Sequence, residues 1–173
     1  MPALRFPVAV IIECTPLVNR WASEQWRVAA VECIDAASIA PVKLVGDPAG
    51  SKWRFGGHAI ELHRSESEGY FLNLTSPDPK VFVMWRMNEE VAGSDDDPKA
   101  LPQLVTVSYN EAARLLDGGE QVDAVPLPPE IRDWMQPFVA EHYRPEPKRK
   151  SRRNELYERE GAAGESSQGR KVR

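Results

Sequence analysis

The sequence predicts an α+β fold: mainly an antiparallel sheet or partly open barrel, with one or two C-terminal helices packed on it, then a disordered basic tail. Three observations predict it. Up to about residue 107, apolar residues mostly alternate or gather in short β-branched runs, the patterns of half-buried and central strands. After Ser108 they recur at offsets of three and four, as on one face of a helix. The charge then reverses: residues 1–143 hold 12 Lys and Arg against 21 Asp and Glu, whereas residues 144–173 hold 10 against 5. A chain of 173 residues suits one core plus an extension, so the expected organisation is a single domain over 1–143 and a tail over 144–173.

Taken in order, Phe6 to Cys14 and Trp26 to Ile34 are apolar on both faces, which suits central strands. Val42 to Val45 and Trp53 to Phe55 are shorter candidates, and Gly56-Gly57 reads as a turn. His58 to His63 alternates, placing Ile60 and Leu62 on one side and Glu61 and His63 on the other. After a charged bend, Tyr70 to Thr75 also alternates, and Pro77-Asp78-Pro79 turns the chain into an apolar strand over Lys80 to Met87, completing a meander. Asn88 to Pro102 is acidic and without period, an exposed loop. Its Asp95-Asp96-Asp97 lacks the alternating ligands of a calcium loop.

Gln103 to Val107 is expected to be a strand, and Ser108 stands three residues before Glu111, the reciprocal capping pattern that opens a helix. That helix ends at Gly118-Gly119, where glycine takes the left-handed cap without strain. Val122 to Leu127 adds an extended segment, and Pro128-Pro129 opens a second helix with an apolar stripe of Ile131, Trp134, Met135, Phe138 and Val139. Pro137 lies inside it and predicts a kink or break near Asp133 to Met135.

The tail lacks the apolar side chains needed to offset a backbone ordering cost of about 1–2 kcal/mol per residue, so it is expected to be disordered alone. The apolar stretch after Arg5 carries Pro7 and Glu13 and no small-residue cleavage site, so neither an export signal nor a membrane span is expected, and the address read is cytoplasmic. Cys14 and Cys33 sit in strand-like runs without a C-x-x-C pair. Two buried thiols are expected rather than a redox or zinc site, and neighbouring strands would allow them to face each other.

Functional candidates fall into four groups. The bend holds Glu61, His63, Arg64, Glu68 and Tyr70, with Asn73 and Arg86 on the following strands. Convergence on one sheet face would bind a small polar or anionic ligand, provided the strand register aligns them. Trp21 and Trp26 bracket the connection between the first two strands, at a core edge or a partner-binding rim. His58, His63 and His142 lack ligand spacing, so no metal and no cofactor is expected. The run Lys148, Arg149, Lys150, Arg152 and Arg153 can steer an acidic protein surface. Its lack of interleaved aromatics and its acidic body argue against nucleic acid.

One resemblance joins these features. The PVAVIIE first strand, Asn19-Arg20-Trp21 with Trp26, Ile60 to Arg64, Glu66, Glu68-Gly69-Tyr70, Asn73-Leu74, Val105 to Ala112, Val125 to Pro128 and Phe138 to Tyr143 before the basic run resemble an uncharacterised bacterial domain-of-unknown-function family, over about residues 6–153. The resemblance implies a location beside genes for molybdenum-dependent formate dehydrogenase, and some members carry the label of molybdopterin-guanine dinucleotide biosynthesis. A nucleotidyltransferase would open with a strand and a glycine-rich phosphate loop. Here the first strand leads to Thr15-Pro16-Leu17-Val18-Asn19, with no glycine, so the enzymatic label is set aside. The expected function is therefore that of a non-enzymatic accessory that binds a protein partner, formate dehydrogenase or a maturation factor. The other readings are a ligand-binding or hydrolytic domain using Glu61, His63 and Glu68 for acid–base work, and a nucleic-acid-associated factor acting through its tail.

Overall fold

A computed structural model describes residues 4–35, 39–47, 50–91 and 97–147. Among these, seven strands form two antiparallel sheets accompanied by three helices. The first sheet has the order β2-β1-β4-β3, built from β1 (Arg5–Pro16), β2 (Glu24–Cys33), β3 (Val42–Asp47) and β4 (Gly50–Glu61). The second has the order β6-β5-β7, from β5 (Lys80–Met87), β6 (Ala100–Thr106) and β7 (Gln121–Pro126). Helices α1 (Ser67–Leu74), α2 (Tyr109–Asp117) and α3 (Pro129–His142) complete it.

The two sheets abut, β2 beside β7 and β4 beside β6, without joining into a closed barrel. At the first seam the edge strand's Val28 N–H donates to Asp123 Oδ2 (2.8 Å), a side chain supplying the acceptor that a neighbouring strand would have offered. Strand β1 is the central element expected from its composition: Val8 to Ile12 are all buried. Val8, Val10 and Ile12 meet Val28, Phe55, Ile60, Val81, Val83 and Trp85 in one core, which Ile131, Met135 and Phe138 of α3 close from the side. The outer edge, β3, leaves Val42, Leu44 and Val45 exposed.

Four expectations are corrected. Tyr70 to Thr75 is not a strand but lies within α1 and its cap, entered through a 3₁₀ turn over Arg64–Glu66, so the meander is interrupted by a helix. Its buried residues are Gly69, Tyr70 and Asn73, one helical face, while Leu72 points outward. Gly56-Gly57 is not a turn but a bulge inside a continuous β4. Two residues stand opposite the single Ala9, and Gly57 takes φ +79°, open to glycine and strained for other residues. Of the kink or break expected from Pro137, the break is absent, since α3 runs through it. The proline lies on the exposed side, where water can satisfy the carbonyl it leaves without a donor. Cys14 and Cys33 do not face each other: Cys14 pairs with Trp26 and Cys33 with Val8, at opposite ends of the β1–β2 ladder.

The helix-opening motif at Ser108 is present in a relayed form. Ser108 Oγ accepts from Glu111 N–H (3.1 Å), while the Glu111 carboxylate turns to Thr106 Oγ1, which in turn accepts from Ser108 N–H (3.1 Å). Gly119 ends α2 with φ +83°.

Candidate functional site

The bend after β4 is fixed from inside by a single side chain. Tyr70, buried on α1, places its hydroxyl between the His63 N–H, which donates to it at 3.0 Å, and the Glu61 carbonyl at 3.4 Å. Burial pushes the Tyr70 phenol up to about 12, so it stays protonated near neutrality and serves as a clip. Leu62 N–H donates to the Leu4 carbonyl (2.9 Å), carrying the chain past the end of β4 into the turn.

Several residues expected to converge here hold the fold together instead. Asn73 is 2% exposed; its Nδ2 donates to the carbonyls of Lys80 (2.7 Å) and Val107 (2.8 Å), and its Oδ1 accepts from Lys80 N–H (2.9 Å). It thereby ties α1 to the start of β5 and the end of β6. Glu66 accepts from Ser108 Oγ and pairs with Arg114, and Glu68 accepts from Asn110 Nδ2, so both acids fasten the start of α1 to α2 and its cap. Arg86 makes a two-pronged pair with Glu120, which holds the Glu120 carboxyl below its ordinary range and raises the guanidinium. The expected face shared by Glu61, His63, Asn73 and Arg86 is not formed, because α1 replaces the strand that would have carried it.

Glu61, His63 and Arg64 remain at the surface. Glu61 faces Arg5 (3.7 Å) and His63 Nε2 (3.9 Å), both beyond hydrogen-bond distance. His63, Arg64 and Ser65 form one lip of a cleft of about 530 Å³ whose other wall is α3. Leu62, Trp134, Pro137 and Phe138 make its apolar surface, and His142 with Glu141 the opposite lip. Phe6 tilts against Trp134 (centroids 5.2 Å), and Phe138 packs edge-on against both Tyr70 (6.0 Å) and His142 (4.4 Å), so the walls are set by aromatic contacts. Sequence reading missed the pairing of bend and helix. The available signal was the amphipathic stripe through Trp134 and Phe138, read only as core.

The second feature is the tip of the β1–β2 hairpin. Leu17 N–H donates to the Ser23 carbonyl (2.9 Å), and Asn19 Oδ1 accepts from Trp21 N–H (2.8 Å) and Ala22 N–H (2.7 Å), so the turn is held in one shape. It presents Trp21, 88% exposed, beside a fully exposed Val18, with the Arg20 guanidinium 5.8 Å from the indole. Trp26 differs: it packs partly buried against the core and donates its Nε1–H to Glu24 (3.2 Å). The two tryptophans thus differ in burial, one standing out at the hairpin tip and the other packed at the core edge.

Among the described residues no three His, Cys, Asp or Glu side chains are grouped to hold a metal ion, and no helix is long and apolar enough to cross a membrane. Lys148, Arg149, Lys150, Arg152 and Arg153 lie outside the described residues, as do Asp95 and Asp96.

A family model described as a protein of unknown function, DUF3305, matches residues 7–152. No curated protein and no solved structure matches the chain.

Proposed function

The chain belongs to the DUF3305 family of unknown function, and from that premise we propose that it is a non-enzymatic accessory protein that docks on a protein partner through the tip of its β1–β2 hairpin. The observation that carries this reading is Trp21, held 88% exposed on a turn fixed by Asn19. An exposed tryptophan on a fixed turn loses little conformational entropy on docking, and its indole offers both apolar area and an N–H donor, which is why tryptophan is enriched among the residues that dominate interface energetics. Val18 extends the apolar tip, and Arg20 beside the ring supplies the cation that the rim of such a contact commonly holds.

The partner in this reading is a subunit or maturation factor of a molybdenum-dependent formate dehydrogenase, which the family resemblance suggests through gene neighbourhood. The basic run from Lys148 to Arg153 adds long-range attraction to an acidic surface. Affinity purification of the full-length chain from its own host is expected to recover a formate dehydrogenase subunit or maturation protein, and Trp21→Ser is expected to lose it while unfolding at the same urea concentration. Recovery of neither by the unaltered chain, or equal recovery with Trp21→Ser, contradicts the proposal.

A further inference from the structure

The cleft between the bend and α3 lies apart from the hairpin tip and opens at the edge of the core, with an exposed arginine on its lip. The described body is acidic, and most of its arginines are matched: Arg5 with Glu61, Arg27 with Glu13, Arg54 with Glu32, Arg86 with Glu120 and Arg114 with Glu66. Arg64 lines the cleft and has no carboxylate in ion-pair reach among the described residues. The cleft's own carboxylate, Glu141, lies 3.8 Å from His142 Nε2 on the opposite lip. An uncompensated guanidinium therefore stands at the mouth of an apolar cleft whose aromatic walls are already in place.

We infer that this cleft binds a small amphipathic anion, an apolar aliphatic or aromatic body bearing a carboxylate that pairs with Arg64. Its volume of about 530 Å³ falls within the roughly 300–1,000 Å³ typical of small-molecule sites, which combine mostly apolar walls with a few polar groups that fix orientation. The body lies against Leu62, Trp134 and Phe138, and the carboxylate meets the planar fork of Arg64, with the His63 imidazole as a second donor on the same lip. A nucleotide is a poor match, since no glycine lines the cleft to let backbone amides approach a phosphate.

The inference is independent of the docking surface at Trp21 and is tested without a partner. The full-length chain is titrated with 8-anilinonaphthalene-1-sulfonate, whose fluorescence reports the site, and the dye is displaced with octanoate and, separately, with the neutral 1-octanol. Saturable dye binding is expected, with octanoate about tenfold stronger than octanol, the size of one charge-assisted hydrogen bond. Arg64→Gln is expected to remove that preference and leave octanol binding unchanged. Arg132→Gln, on the exposed side of α3 outside the cleft, is expected to leave both unchanged. Pro137→Trp, which fills the cleft from an exposed helical position, is expected to abolish both. Absence of saturable binding, an octanoate preference that survives Arg64→Gln or falls equally with Arg132→Gln, or full binding in a folded Pro137→Trp chain overturns the inference.

Discussion

Replacing Asn73 by alanine is expected to destabilise the fold by about 3 kcal/mol, although the residue lies in the segment whose sequence looks most like a binding loop. The side chain makes three hydrogen bonds, to the Lys80 and Val107 carbonyls and from the Lys80 amide, at 2.7, 2.8 and 2.9 Å. Each such bond contributes roughly 0.5–1.5 kcal/mol net, which gives about 1.5–4.5 kcal/mol for the set. The upper half of that range is favoured because Val107 is fully buried, so its carbonyl cannot exchange the lost donor for water. That penalty for an unsatisfied buried group, roughly 1–3 kcal/mol, is what lifts the loss to about 3 kcal/mol and is not a further addition to it. Equilibrium urea unfolding, followed by tryptophan fluorescence and far-ultraviolet circular dichroism, measures this directly. The midpoint should fall with an unchanged slope, and the melting temperature should drop by about 10 °C for a domain of this size. Asn73→Asp keeps the acceptor for Lys80 N–H but loses both donors and buries a charge, so it should be at least as damaging. A loss below about 1 kcal/mol for Asn73→Ala would refute the reasoning, because the bonds would then have been replaced at no cost.

Gly69→Ala sets two effects in opposition: alanine favours a helix over glycine by about 1 kcal/mol, but here its Cβ would collide with Ser108 Oγ and lie 3.1 Å from Asn110 N. The collision should prevail with a net destabilisation of about 1–2 kcal/mol, and a stabilised variant in the same urea assay would show that α1 and α2 do not pack as described. Burial holds His58 below its ordinary value of 6.5, so just below that value the unfolded chain binds more protons than the folded one. Its contribution to stability is therefore full above about 6.5 and is lost as the pH falls toward the lower folded value. His58→Gln should flatten the stability profile in that window, and an unchanged slope would contradict the assignment. Burial first, and Glu24 second, push the Cys14 thiol up to about 11, so iodoacetamide at pH 8 should alkylate it about a hundredfold more slowly than in the urea-unfolded chain. Equal rates, read by mass spectrometry, would show that the thiol is not shielded.

Much of the architecture could be read from the chain because local and global preferences agree there. The unbroken apolar run from Val8 to Ile12 demands burial on both faces, and β1 takes the centre of its sheet. Ser108 and Glu111 mark the start of α2 through chemistry that acts within one turn, and the stripe from Ile131 to Val139 gives α3 its buried face. Tyr70 to Leu74 was ambiguous, since its apolar residues satisfy a period of two as well as a helical one. What decides for the helix is tertiary: the Tyr70 hydroxyl between His63 and Glu61, Gly69 against Ser108, and Asn73 bonded to segments on either side. The site suffered the same limit. His63 and Arg64 were visible as a charged bend, but the apolar wall that makes them one lip of a cleft comes from Trp134 to Phe138, far along the chain. Trp21 and Trp26 bracket one connection in sequence, and it is the start of β2 at Glu24 that places Trp26 in the ladder and leaves Trp21 exposed on the turn.

The docking proposal is tested most directly by placing a photo-reactive p-benzoylphenylalanine at position 21 of the full-length chain in its own host, with position 132 on the exposed face of α3 as the control. The account predicts a light-dependent cross-link from position 21, and not from position 132, to a formate dehydrogenase subunit or maturation protein identified by mass spectrometry. No cross-link from position 21, or the same adducts from both positions, would contradict it.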